Sequence, residues 1–102
     1  MALARLPDGA VLYRRTPIFT ETTIPAGLLS EHRTKEGVWG VIRVLEGSLG
    51  YRIKDARRPP MEFLLTPKTL PAVIEPTIKH EVEACGPVRF IIEFYRRGQA
   101  AA

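Results

Sequence analysis

Val38-Trp39-Gly40-Val41-Ile42-Arg43-Val44-Leu45-Glu46-Gly47-Ser48-Leu49-Gly50-Tyr51-Arg52-Ile53-Lys54 decides the fold. From Val38 to Leu45 only Arg43 interrupts the apolar residues, as expected for a strand covered on both faces. Glu46-Gly47 then reads as a turn. Beyond it Leu49, Tyr51 and Ile53 alternate with Ser48, Gly50, Arg52 and Lys54, which gives one apolar face and one wet face. The same period of two returns in Ile78, His80 and Val82, and again in Val88, Phe90, Ile92 and Phe94. The last segment also fits a helical spacing, but its Val, Ile and Phe content favours a strand.

Outward from these strands the chain is finely punctuated. Nine prolines and eight glycines put turn signals at Asp8-Gly9, Pro25-Ala26-Gly27, Glu36-Gly37, Pro59-Pro60, Thr66-Pro67 and Gly86-Pro87. Few of the pieces between them could hold a helix, because interior glycine and proline are costly there. Regularly spaced short strands predict an all-β sandwich or barrel. At 102 residues the chain makes one small domain, 1–102, with residues 97–102 expected to fray. A chain this long buries about 65% of its unfolded surface, enough for a core without cross-links. Its single cysteine, Cys85, excludes an intrachain disulfide and any Cys-x-x-Cys metal site. No basic partner adjoins Cys85, so a structural role is expected rather than a reactive thiol.

The net charge of +4 comes mostly from residues 31–60, with seven basic and four acidic side chains. Arg52, Lys54, Arg57 and Arg58 lie beside Asp55 and before Pro59-Pro60, a solvated loop rather than a nucleic-acid surface. No apolar run approaches the ~20 residues that cross a bilayer. The N-terminus lacks a basic start followed by an apolar stretch. A cytoplasmic protein with neither a nucleic-acid nor a membrane partner is therefore expected.

The two histidines carry the chemical interest. His80 shares a face with Ile78 and Val82, and His32 shares a side with Thr34 in an extended chain. Two inward imidazoles of a small barrel could converge on a divalent transition metal such as Zn, Fe or Ni. Equally, each could be a hydrogen-bonded core or rim histidine, since ligands so far apart in sequence carry no spacing signature. A third ligand would have to come from Glu93, Glu75 or Glu36, with Glu93 just as well suited to an ion pair. Trp39 and Tyr51 read either as the aromatic wall of a pocket or as sheet packing.

The residues now carry a resemblance. Leu6-Pro7-Asp8-Gly9, Tyr13-Arg14-Arg15-Thr16-Pro17, Pro25-Ala26-Gly27-Leu28, His32 through Gly40, and Val88 through Tyr95 resemble the TehB/YeaR-like cupin family, linked by name to tellurite resistance. Gly47 resembles the strand-turn-strand of a cupin's first motif, and His80 the histidine of its second. The resemblance implies a cupin-type double-stranded β-helix, or jelly roll, with a pocket at one end. It implies a ligand pocket of His32, Thr34, Trp39, Tyr51 and His80, with His32 and His80 on a metal. Thr34 and Trp39 stand where a cupin normally has a histidine and a glutamate, so two of four usual ligands remain.

Three functions follow from the resemblance. The first is a stand-alone module binding a small ligand or metal ion in a stress response such as tellurite resistance. The second is a metal-dependent oxygenase or isomerase using His32 and His80, and the third a structural partner domain without a ligand. Catalysis itself stays open. Some relatives carry this domain ahead of a methyltransferase. This sequence has neither the glycine-rich strand-to-helix turn nor the length of such a unit, so no nucleotide cofactor is expected. Small cupins often pair through edge strands, which predicts a homodimer.

Overall fold

The computed structural model describes residues 5–30 and 32–98. Its strands are β1 (Ala10–Arg15), β2 (Phe19–Thr20), β3 (Val38–Ile53), β4 (Met61–Leu65), β5 (Ala72–Ile74) and β6 (His80–Arg97), with one 3-10 turn at Ala26–Leu29. They form one open antiparallel sheet in the order β1-β6-β3-β4, with β2 also on β6 and β5 also on β3. The all-β expectation holds.

Two of the expected turns are corrected. Glu46-Gly47 and Gly86-Pro87 do not reverse the chain. β3 and β6 run straight through them and pair from Val38↔Arg96 to Ile53↔His80. The register shifts between Val44 and Glu46 and again between Gly47 and Leu49. Gly47, at φ 80°, lies opposite Val88, and a Cβ there would sit 2.0 Å from the Pro87 carbonyl oxygen. Only glycine tolerates both that backbone and that approach. Because the two glycine-containing segments face each other, the two long strands bend together rather than part.

The bend divides the sheet. On one side the first part of β3 carries β5, and the last part of β6 carries β1 and β2. On the other side the second part of β3 carries β4, and His32 bridges to His80 at the start of β6. Ile42 and Val44 from before the bend join Leu49 and Tyr51 from after it in one core with Val82, Val88, Phe90 and Ile92. In β3 the inward residues are even-numbered before the bend and odd-numbered after it, which the register shifts make possible, whereas in β6 they stay even-numbered throughout. Val41 and Ile42 are adjacent, so they point to opposite faces, and both are buried. The expectation of a strand covered on both sides is met there, but Leu45 is exposed.

The chain ends of the fold are tied down. Arg97 is still in β6, and the Gly98 N–H donates to the Gly9 carbonyl at 2.9 Å. The rest of the tail, residues 99–102, lies outside the described residues. No helix among the described residues is long and apolar enough to cross a membrane.

Candidate functional site

The histidines meet, as their alternation suggested. His32 and His80 exchange backbone hydrogen bonds of 2.7 and 2.8 Å, and their rings stand edge to face with centroids 5.4 Å apart. His80 is almost fully buried, its ring 5.9 Å from that of Tyr51. Its Nδ1 lies 3.2 Å from the Ile78 carbonyl oxygen, which can only accept, so the neutral ring carries its proton on Nδ1. Burial pulls the His80 pKa down to about 4; the Ile78 bond opposes this and the neighbouring His32 adds to it. His32 is also lowered by burial, and its Nδ1 is buried without a hydrogen-bond partner among the described residues.

Among the described residues no third ligand joins this pair. Among the described residues no group of three His, Cys, Asp or Glu is placed to hold an ion. Glu93, the expected third ligand, is committed elsewhere. Its Oε1 accepts from Arg43 Nε at 2.6 Å and from the Tyr95 hydroxyl at 3.2 Å, and its Oε2 accepts from Arg15 Nε at 3.3 Å. Burial raises the Glu93 pKa, but those hydrogen bonds outweigh it and keep the group below its usual value. Glu75 is likewise held, by Arg58 Nε at 3.0 Å and Nη2 at 2.8 Å. Thr34 has a brace's role: its hydroxyl donates to the Val38 carbonyl at 2.9 Å, with the Glu75 carbonyl at 3.4 Å.

Trp39 and Tyr51 line a different feature, which Tyr51 connects to the His80 ring. An open groove of ≈ 860 Å³ runs over β3, β4 and β5. That is within the ~300–1,000 Å³ typical of small-molecule sites. Val41, Tyr51 and Leu65, all nearly buried, form its base, and Trp39, Phe63 and Val73 stand around them. Tyr51 stacks on Phe63 at 6.0 Å, and the Arg97 guanidinium lies 5.6 Å from the Trp39 ring. Burial, helped by the Glu75 charge, raises the Tyr51 phenol far above its ordinary value, so it stays an O–H. Of the five expected pocket residues, then, two line the groove, His80 sits against Tyr51, and His32 and Thr34 lie outside the lining.

Sequence reading missed most of this groove. Its charged members, Arg5, Arg43, Arg58 and Glu75, are scattered over the chain with no common spacing. One signal was available: Arg43 is the lone charge in an otherwise apolar run. Another was the alternation of Met61, Phe63 and Leu65, which marks β4.

Comparison with known proteins now bears on the site. The TehB-like domain model matches residues 14–92. Two curated Haemophilus influenzae proteins, each named a probable S-adenosyl-L-methionine-dependent methyltransferase TehB, are 32% and 31% identical over 75 residues. Those residues are 72% of this chain, which spans about a quarter (26%) of the relatives' length. The crystal structure of Haemophilus influenzae TehB superposes with a TM-score of 0.80 at 27% identity, covering 88% of this chain and 32% of that one. A crystal structure of an Escherichia coli K12 protein gives 0.82 at 25% identity, covering 95% of this chain and 100% of that one. The capsular polysaccharide assembling protein CapF from Staphylococcus aureus, at 13% identity and 0.55, shares the fold alone.

These relatives overturn the function expected from the histidines. A small-ligand or metal-binding cupin module, a metal-dependent cupin enzyme and an inert partner domain all give way to a methyltransferase-related reading. The expected Zn, Fe or Ni gives way with them, as does the expectation of no nucleotide cofactor, since the relatives' names specify S-adenosyl-L-methionine. Matched over most of its length by the family model and by both curated relatives, the chain belongs to the TehB-like domain family.

Proposed function

We propose that this chain serves S-adenosyl-L-methionine-dependent methyl transfer as the domain that presents the methyl acceptor, with the cofactor held by a catalytic unit outside the described residues. The open apolar groove over β3, β4 and β5, with the Tyr51 phenol at its base, carries this reading. The cofactor itself does not fit here. Its sulfonium and ammonium cations would meet Arg5, Arg43 and Arg58, and the lining carboxylate, Glu75, is already bound twice by Arg58. The one helical piece among the described residues is the single turn Ala26–Leu29, far short of a strand-to-helix cofactor site.

Two structural expectations join the proposal. The joint bend of β3 and β6, with core residues contributed from both sides of it, supports reading the open sheet as a small jelly roll. The outer edge of β4 has no strand beside it among the described residues, and Leu64 on it is 58% exposed, which supports a homodimer formed there.

The test is a chimera. The matched quarter of Haemophilus influenzae TehB is replaced by this chain, and tritiated methyl transfer from S-adenosyl-L-methionine into the small molecules of a cell extract is measured. The expected result is transfer by the chimera well above that of a truncation lacking the domain. A chimera no better than the truncation refutes the role.

A further inference from the structure

We infer that the groove selects an amphipathic anion, an apolar body bearing one oxyanion group, with Arg43 and Tyr51 as the recognising residues. The inference takes its biological setting from the acceptor-presenting reading, but its chemistry stands on the groove alone. The base and walls offer contact to an apolar body only: Val41, Tyr51 and Leu65 below, Trp39, Phe63 and Val73 around. Charge is therefore decided by the few ionised groups in the lining. Arg5, Arg43 and Arg58 face one carboxylate, Glu75. Both N–H edges of the Glu75–Arg58 pair are satisfied at 3.0 and 2.8 Å, so that pair is internally neutral. Arg5 and Arg43 remain as the positive excess.

Arg43 is also preorganised. Glu93 takes its Nε at 2.6 Å, and Glu93 is itself fixed by Arg15 and Tyr95. One of five guanidinium donors is thus anchored from the sheet, while the side chain stays 44% exposed at the groove. A guanidinium held this way loses little freedom on meeting an anion. The Glu93 charge would otherwise weigh against anion binding, but it is shared between two arginines. Tyr51 supplies a second donor. Its hydroxyl stays protonated, and the residue lines the groove at 3% exposure. A carboxylate, sulfonate or phosphate oxygen would accept a hydrogen bond from it. A cation would meet like charge and an apolar wall.

Fluorescence titration with two probes sharing one ring system tests this. The anionic probe is 8-anilinonaphthalene-1-sulfonate and the neutral one N-phenyl-1-naphthylamine. The native chain is expected to bind the sulfonate saturably and about tenfold more tightly than the neutral probe, the margin of one charge-assisted hydrogen bond. Arg43→Gln should erase that margin and leave the neutral probe unchanged. Should Arg43→Gln disturb the fold by releasing Glu93, Leu70→Glu serves instead. Leu70 lines the groove and is 72% exposed, so a charge there is tolerated, and it should weaken the sulfonate several-fold more than the neutral probe. Equal affinity for the two probes, or sulfonate binding indifferent to both substitutions, overturns the inference. Loss of charge selectivity beside an active chimera sinks this inference alone. An inactive chimera with charge selectivity intact sinks the acceptor-presenting role alone.

Discussion

Acidification from pH 7 to pH 5 should destabilise this domain, chiefly through one side chain. His80 is 1% exposed, and burial holds its pKa at about 4 in the folded protein. In the unfolded chain it returns to 6.5. Between those values the unfolded state binds the proton and the folded state refuses it, so stability falls as pH falls. Above 6.5 both states are neutral and the curve is flat. Linkage over that window gives a loss of about 2 kcal/mol by pH 5 and about 3 kcal/mol by pH 4. His32, also lowered by burial, adds in the same direction. Glu75 and Glu93 have lowered pKa values and act in this sense too, but their loss sets in only as pH falls through the ordinary carboxylate value of 4.5, which leaves the interval above pH 5 mainly to the histidines.

The assay is urea unfolding at pH 7, 6 and 5, on the native chain and on His80→Asn. The amide nitrogen of asparagine can occupy the place of Nδ1 and keep the donation to the Ile78 carbonyl, but it does not titrate. With a slope of roughly 2 kcal/mol per molar urea, the native midpoint should drop by about 1 M between pH 7 and pH 5. The variant should start lower and move much less. Parallel pH curves for the two proteins would refute the claim that a neutral, buried His80 controls acid stability.

Other outcomes follow from the same geometry. Gly47→Ala should cost more than about 3 kcal/mol, because it adds backbone strain to a clash with the Pro87 carbonyl. Gly37→Ala, at φ 76° with nothing within 4 Å, should cost only about 1 kcal/mol in the same thermal unfolding series. Equal costs would remove the contact from the account. Thr34→Val keeps shape but strips the donor from the Val38 carbonyl, with an expected loss of about 1 to 2 kcal/mol by urea titration. Light scattering should return about twice 11.4 kDa, and Leu64→Glu on the β4 edge should return the single-chain mass. A native chain at the single-chain mass discards the dimer.

The strands that carry a period of two were legible because alternation survives any tertiary context. Leu49 and Tyr51 are buried and Ile53 packs against the core as their spacing said, and His80 points inward with Val82. Continuity was not legible. Glu46-Gly47 and Gly86-Pro87 have the local chemistry of turns, and only their juxtaposition turns them into a shared bend. Pairing across about forty residues is invisible to a window of ten. The histidine pair was readable as a pair, since both residues lie on extended, half-apolar segments. Its chemistry was not, because what separates a ligand from a buried ring is the company it keeps. One of the expected third ligands, Glu93, is held by Arg43 from fifty residues upstream. The groove's arginines escaped for the same reason: their charge only counts once β3, β4 and β5 stand together.

The pairing of Ala10 with Arg97 and of Arg15 with Glu93 carries a cost at the ribosome. β1 is the first of the six strands to emerge, yet its neighbour in the sheet is the sixth. β3 must also wait for β6 before its buried face finds cover. The nascent domain therefore travels with Val41, Ile42 and Val44 uncovered until translation has passed residue 97. A nonlocal topology of this kind closes late, and a holdase that shields the emerging hairpin of β3 and β4 would gain more here than in a helical bundle of equal size.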